Sequence, residues 1–281
     1  MESIKNIKLD NLVISNSKIG SLSKPIFALT VNVFDFSKSS HIVKDFYNSE
    51  NIEDIVKSAN AVDCDILNLK FNLEETPSLN DDIEKSKKLL KTLLKYITKP
   101  LMIQGANNKE VDTLLLPALI EELDREAIIA FVDENTYKSI VPSVIKGNHI
   151  LVIRTPIDIN LAKEMNILVK DIGMDINKIL IDTDMGGLGY GLEYGYSIIE
   201  RIKLAAQSGD EMLNMPLIAF AGDEALKAKE TKSDSYDKNY GDFKERSMMF
   251  EITTASSICA AGANIVVVHY PNTISTLKSV I

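Results

Sequence analysis

The chain has 281 residues, of which 45% are hydrophobic, and its 31 basic and 40 acidic side chains give a net charge of −9. That length can bury a large core as two ordinary domains or as one α/β barrel. The acidic balance argues against a nucleic-acid or anionic-membrane surface and favours a small ligand or a protein partner.

Met1 to Lys5 lack the pattern of a secretion signal, and no run approaches the ~20 apolar residues that span a bilayer, so a cytoplasmic protein is expected. Residues 1–24 contain short β-type pieces, Ile4 to Leu9 and Leu12 to Ile14, broken by Asp10-Asn11 and Ser15-Asn16 in the manner of a hairpin. They read as an N-terminal β flap. From residue 25 to 281 short apolar runs alternate with amphipathic segments. The runs are Ile26 to Val33, Asp65 to Leu69, Leu101 to Gln104, Ala127 to Val132, Ile150 to Arg154, Ile179 to Asp182, Leu217 to Ala221 and Ile265 to His269.

The segments between them carry helical periodicity, as in Ile83, Leu90, Leu93, Leu94 and Ile97, or Tyr194, Ile198, Ile202 and Ala205. Pro142 is expected to delay or kink its helix, and Gly173 to close the one from Asp158 to Ile172. Eight such repeats without a linker predict an α/β fold, a single (β/α)8 TIM barrel with the short flap before it. An open doubly wound sheet uses the same alternation but explains the uninterrupted repeats less economically.

Barrel sites are built at the C-terminal ends of the strands. The candidates there are Asp35, Asn68, Gln104 with Gly105, Asp133 with Asn135, Arg154 with Thr155, Asp182 with Asp184, Gly222 and His269. Cys64 and Cys259 are too few for a zinc or iron–sulfur site and read as inert core thiols. His41, His149 and His269 form no metal-binding pair, so no metal ligands are assigned.

The richest stretch runs from Asp182 to Tyr194, where glycines follow the sixth strand. It lacks the Gly-Lys-Ser/Thr of a P-loop, and from Gly187 and Gly189 the third glycine of a dinucleotide fingerprint falls on Leu192. Glu193 at the helix entry competes with an anion for the same backbone donors, so a neutral or amide-bearing ligand suits the corner better. Asp182 and Asp184 suit a magnesium ion, an acid/base pair or simple turn capping. The polar stretch Gly222 to Asp242 reads either as a binding or covering loop or as a solvated one.

Three stretches, Gly189-Tyr-Gly-Leu-Glu-Tyr-Gly-Tyr-Ser-Ile-Ile-Glu-Arg-Ile-Lys-Leu-Ala-Ala206, Gly209-Asp-Glu-Met-Leu-Asn-Met-Pro216, and Glu245-Arg-Ser-Met-Met-Phe-Glu-Ile-Thr-Thr-Ala255 with Ala261-Gly-Ala263, carry a family resemblance. Together with Asp158 to Lys163 and Glu224 to Glu230, they resemble the small (delta-type) subunit of the corrinoid iron–sulfur protein of the acetyl-CoA decarbonylase/synthase complex. The chain departs from the pattern with Tyr240 and Phe250 where tryptophan is usual, and with Tyr270 between His269 and Pro271.

The resemblance implies a TIM barrel partnered by a large subunit that carries the iron–sulfur cluster, with a cobalamin-type corrinoid between the barrel mouth and that subunit. The corrinoid would take a methyl group from methyltetrahydrofolate through a separate methyltransferase and pass it to acetyl-CoA synthase. This chain would be a cofactor holder and scaffold with no cluster, no cobalt ligand and no catalytic residue. Barrel geometry and the glycine corner nominate Asp184, Gly186, Gly187, Gly189 and Tyr190 as corrinoid-lining residues, with Gln104 and Gly105. The competing readings are a pterin-binding barrel methyltransferase gripping its pterin with Asp182, Asp133 and Asn135, and a purely structural assembly subunit.

Overall fold

The computed structural model describes residues 13–14, 17–18 and 24–281. Eight parallel strands close into a barrel in chain order: β1 (Ile26–Asn32), β2 (Ile66–Lys70), β3 (Leu101–Gln104), β4 (Ala127–Val132), β5 (Ile150–Arg154), β6 (Ile179–Asp182), β7 (Leu217–Ala219) and β8 (Ile265–Val268). β8 pairs with β1 through Ile265 and Ile26, which completes the closure expected from the sequence. Val13–Ile14 pairs antiparallel with Ser17–Lys18, whereas the β-type piece from Ile4 to Leu9 lies outside the described residues.

The strands are buried on both faces, which is why they read as continuous apolar runs. Side chains alternate across each strand, so one set fills the barrel and the other packs under the helices. The inner set includes Ile26, Ala28, Ile66, Met102, Ile128, Val152, Leu180, Ile218 and Val267. Two residues further along, the same inward register turns polar, at Thr30, Asn68, Gln104, Arg154, Asp182 and His269. That switch marks the mouth.

Helices α1 (His41–Tyr47), α2 (Ile52–Ala61), α3 (Leu79–Leu94), α4 (Lys109–Ile120), α5 (Tyr137–Lys146), α6 (Ile159–Ile172) and α7 (Leu192–Gln207) follow the first six strands. Several begin at a side-chain cap: Asn51 accepts the amides of Glu53 and Asp54, and Asp158 those of Asn160 and Leu161. Gly173 ends α6 at φ 110°, a left-handed turn that glycine adopts without strain. Pro142 sits inside α5, which already starts at Tyr137, so the expected delay does not occur.

The stretch expected as a long loop after β7 contains short helical pieces. α8 (Ala221–Ala225) begins directly at the strand end, and single 3-10 turns follow at Lys229–Thr231 and Lys238–Tyr240. The reason lies in α9 (Phe243–Ala261), whose buried Arg246 gathers three carbonyls. It donates to Glu230 at 2.7 Å, Ser233 at 2.7 Å and Gly241 at 3.0 Å. One guanidinium thereby satisfies backbone acceptors that a short polar segment could not pair by itself.

α10 (Pro271–Val280) closes the chain, and its entry is held by Glu251 of α9. This fully buried carboxylate accepts the amides of His269 and Tyr270 and the Thr273 hydroxyl. Burial pushes its carboxyl up from the ordinary value, against the pull of His269 and these donors. The extra Tyr270 points away from the mouth onto α1, packing with Ile42 and Val43 and meeting Phe46 edge-on at 5.9 Å.

Candidate functional site

Two polar clusters occupy the mouth above the apolar interior. The first centres on Asp223, in the first turn of α8. Its Oδ1 accepts Lys70 Nζ at 2.6 Å and meets His269 Nε2 at 2.7 Å, and its Oδ2 accepts Gln104 Nε2 at 2.8 Å. Gln104 Oε1 in turn accepts Asn68 Nδ2 at 2.6 Å, and Asn68 also reaches Thr30 Oγ1 at 3.0 Å. The strand ends of β1, β2, β3 and β8 are thus stitched to α8 by one carboxylate. Desolvation opposes its charge, yet Lys70 and His269 hold the carboxyl well below the usual carboxylate range.

The second cluster pairs Arg154 at the end of β5 with Asp182 at the end of β6. Arg154 Nε donates to Asp182 Oδ2 at 2.6 Å, and its Nη1 lies 3.5 Å from Asp184 Oδ1. The guanidinium carbon is 3.3 Å from the Phe131 ring centre and 5.2 Å from that of Phe220. Phe131 reaches this position because the β4–β5 register shifts between Ala130 and Val132, an irregularity that turns the ring inward. Burial pushes the Asp182 carboxyl up to about 6 despite the attraction of Arg154.

The glycine corner after β6 is built against this frame. Asp184 takes a left-handed φ of 49° and donates its amide to Asp182 Oδ1 at 3.1 Å. A Cβ on Gly186 would collide with the Tyr190 carbonyl, and one on Gly187 would lie 2.8 Å from the Glu224 carbonyl. The clearance those two glycines provide is therefore used by the chain itself, Gly186 letting the corner fold on its own backbone and Gly187 seating it on α8. Gly189, at φ 76°, has nothing within 4 Å of its Cβ position and opens outward. Tyr190 is exposed, and its hydroxyl bonds Glu230 at 3.1 Å, tying the corner to the segment after α8.

The nominated residues therefore divide. Gly189 and Tyr190 open outward at the rim, and the half-exposed Asp184 meets Arg154 there. Gln104 belongs to the Asp223 network, while Gly105 packs against the Asp112 side chain behind β3. Burial pushes the Asp112 carboxyl up to about 6, and it accepts the amides of Ala106 and Asn108. The residues proposed to grip a pterin are engaged locally. Asp182 is paired with Arg154, and Asp133 caps its own turn by accepting from Asn135, Thr136 N and Thr136 Oγ1. Asp35 likewise caps Ser37.

Lys70, Asp223, Glu251 and Arg246 were not singled out from sequence. The available signals were an inward register two residues beyond Asn68 for Lys70, and an acid directly after the seventh strand for Asp223. Among the described residues no cluster of histidine, cysteine, aspartate and glutamate is arranged to hold a metal ion, and no helix is long and apolar enough to cross a membrane. Burial pushes the Cys64 thiol up to about 11 and that of Cys259 up to about 12, the behaviour of inert thiols.

The fold is shared with dihydropteroate synthases. The enzyme from Xanthomonas albilineans superposes with a TM-score of 0.61 at 12% identity, covering 98% of this chain and 97% of that one. The Yersinia pestis enzyme gives 0.62 at 10% identity over 92% of each chain. At such identities the likeness concerns architecture alone. Sequence relatives are closer in kind. The chain is 29% identical over 212 residues to the acetyl-CoA decarbonylase/synthase complex subunit delta of Methanocaldococcus jannaschii, covering 74% of this chain and 52% of that protein. It is 30% identical over 220 residues to the Archaeoglobus fulgidus subunit, covering 75% and 48%, and 26% identical over 270 residues to subunit delta 1 of Methanosarcina thermophila, covering 90% and 60%. It thus spans roughly half to three fifths of the length of these curated relatives. Residues 24–258 match the family model for the CO dehydrogenase/acetyl-CoA synthase delta subunit. On that match, the chain belongs to the CO dehydrogenase/acetyl-CoA synthase delta subunit family.

Proposed function

We propose that this chain holds one face of a corrinoid at its barrel mouth, as the scaffold half of a corrinoid iron–sulfur protein. Its partner would be the large subunit bearing the cluster, with a methyltetrahydrofolate methyltransferase and acetyl-CoA synthase as transient partners. When bound, the corrinoid supplies the cobalt that carries the methyl group. The observation that carries the reading is the internal pairing of charge at the mouth. Lys70 and His269 are matched by Asp223, and Arg154 by Asp182, so the wide polar face is held rigid by its own hydrogen bonds.

A broad macrocycle edged with amides needs a wide, pre-formed surface of hydrogen-bonding groups more than it needs an unpaired charge. The rim supplies the Asp184 carboxylate, the Tyr190 hydroxyl and the open backbone at Gly189. These groups fit such an edge, and they bind and orient without moving a proton.

The pterin-dependent enzyme reading is disfavoured because, of its three proposed gripping residues, Asp182 is ion-paired with Arg154 and Asp133 spends its Oδ1 on capping its own turn. Incubation of the isolated chain with methyltetrahydrofolate and free reduced cobalamin separates the two. No methylcobalamin should form above the uncatalysed rate. Chain-dependent turnover would overturn the scaffold reading in favour of a methyltransferase.

A further inference from the structure

Beside the mouth, between the turn after β1 and the segment after β7, lies a cleft of about 480 Å³. That volume lies within the ~300–1,000 Å³ typical of small-molecule sites. It shares a wall with the mouth through Lys70 and Asp223 and extends away from it past Lys38, His41 and Lys232. Its lining contains four lysines and two histidines against one aspartate, in a protein whose net charge is −9. Asp223 is already shared by Lys70 and His269, and among the described residues Lys232 has no ion pair. Lys38 pairs with Glu74 and, at 3.7 Å, with Asp35, and Lys227 pairs with Glu224; none of these three acids lines the cleft.

Three side chains of its lining carry a buried polar atom without a partner. Asn32 is 5% exposed, donates its Nδ2 to Ser39 Oγ at 3.0 Å, and leaves its buried Oδ1 without a partner. The Ser40 hydroxyl and His41 Nε2 are also buried and unpaired. The His41 ring is fixed in place by stacking on Phe243, with centres 3.8 Å apart and planes 12° from parallel. Unpaired buried polar atoms are costly, and several around one basic cleft point to a ligand that completes them.

We infer that this cleft is an anion subsite that takes a phosphate ester carrying a free hydroxyl. A tetrahedral dianion offers acceptors in several directions, which suits a lining that includes Lys38, Lys70 and the unpaired Lys232 on different elements better than a planar carboxylate does. Asn32 Oδ1 accepts only, so the ligand must also donate, as a neighbouring sugar hydroxyl would. The phosphate belongs either to a free phosphorylated metabolite or to the nucleotide tail of a corrinoid seated at the mouth. The first source is independent of the corrinoid reading, and the second rests on it.

Isothermal titration of the full chain at low salt with ribose 5-phosphate, and with ribose as the uncharged comparison, tests the subsite. Ribose 5-phosphate should bind with an affinity that falls as salt rises, and ribose should not bind. His41→Ala and Lys232→Ala should each weaken binding roughly tenfold, the loss expected for one charge-assisted or buried hydrogen bond. Lys232 is exposed, so its variant keeps the test valid if His41→Ala disturbs the fold. No binding, or binding unaffected by either variant, would overturn the proposal. In the complex with a large subunit, displacement of ribose 5-phosphate by cobalamin but not by cobinamide, which lacks the phosphate-bearing tail, assigns the subsite to the cofactor. Displacement by neither assigns it to a free metabolite, and displacement by both would show the corrin ring filling the cleft and overturn the phosphate assignment.

Discussion

Arg154→Met is expected to destabilise the folded chain by about 3–5 kcal/mol, the usual cost of removing one partner from a buried ion pair. The substitution keeps a similar apolar length between Phe131 and Phe220 but leaves Asp182 1% exposed and without its guanidinium. The pH dependence identifies the cause. In the native chain the Asp182 carboxyl is raised to about 6 by burial, so its contribution to stability is fully present below the unfolded value near ~3.9 and is lost as pH rises through about 6. Without Arg154 that folded value moves higher, and the variant should lose still more stability between pH ~6 and 8. Urea midpoints of Arg154→Met and of Arg154→Met/Asp182→Asn across this range should diverge, with the double variant recovering most of the loss. A cost under ~1 kcal/mol, or equal pH slopes, would mean that the pair is not buried as described.

Asp223→Ala should have a comparable effect, about 3 kcal/mol or more, for a different reason. It strands three donors, Lys70, Gln104 and His269, in a buried setting where each had a bond of 2.6 to 2.8 Å. Because the Asp223 carboxyl is held below the usual range, its contribution is present above the unfolded value and lost only as pH falls through the folded one. The advantage of the native chain over the variant should therefore shrink as pH falls below ~3.9, the opposite direction to the Arg154 pair. Urea midpoints of both at pH ~5 and pH ~3 test it. A difference that grows on acidification would contradict the assignment of Asp223 as the fixed anion of the mouth.

These two clusters show how far a single sequence can be read. The barrel was legible because its strands are short apolar runs buried on both faces, and because caps such as Gly173 announce their helices locally. The glycine corner was legible as a place but less so as a set of roles. Gly186 and Gly187 serve internal packing on Tyr190 and α8 respectively, a cause that for Gly187 only becomes visible once Glu224 is known to lie against it. The Asp223 network was illegible because Lys70 and Asp223 are 153 residues apart, and neither carries a local pattern that names the other. Glu251 and Arg246 were missed for the same reason. On a helix they look like surface charges, yet both are buried to satisfy backbone groups of distant turns. Periodicity reports apolar faces, and α9 presents to the core a stripe that includes Arg246, Ser247, Glu251 and Thr254.

The claim that this chain holds one face of a corrinoid is tested most directly by purifying the large subunit alone and together with this chain from the same cells, then measuring cobalt and the corrinoid absorbance. The account predicts stoichiometric corrinoid in the complex and loss of the cofactor from the large subunit purified alone. Equal retention by the large subunit without this chain would contradict it.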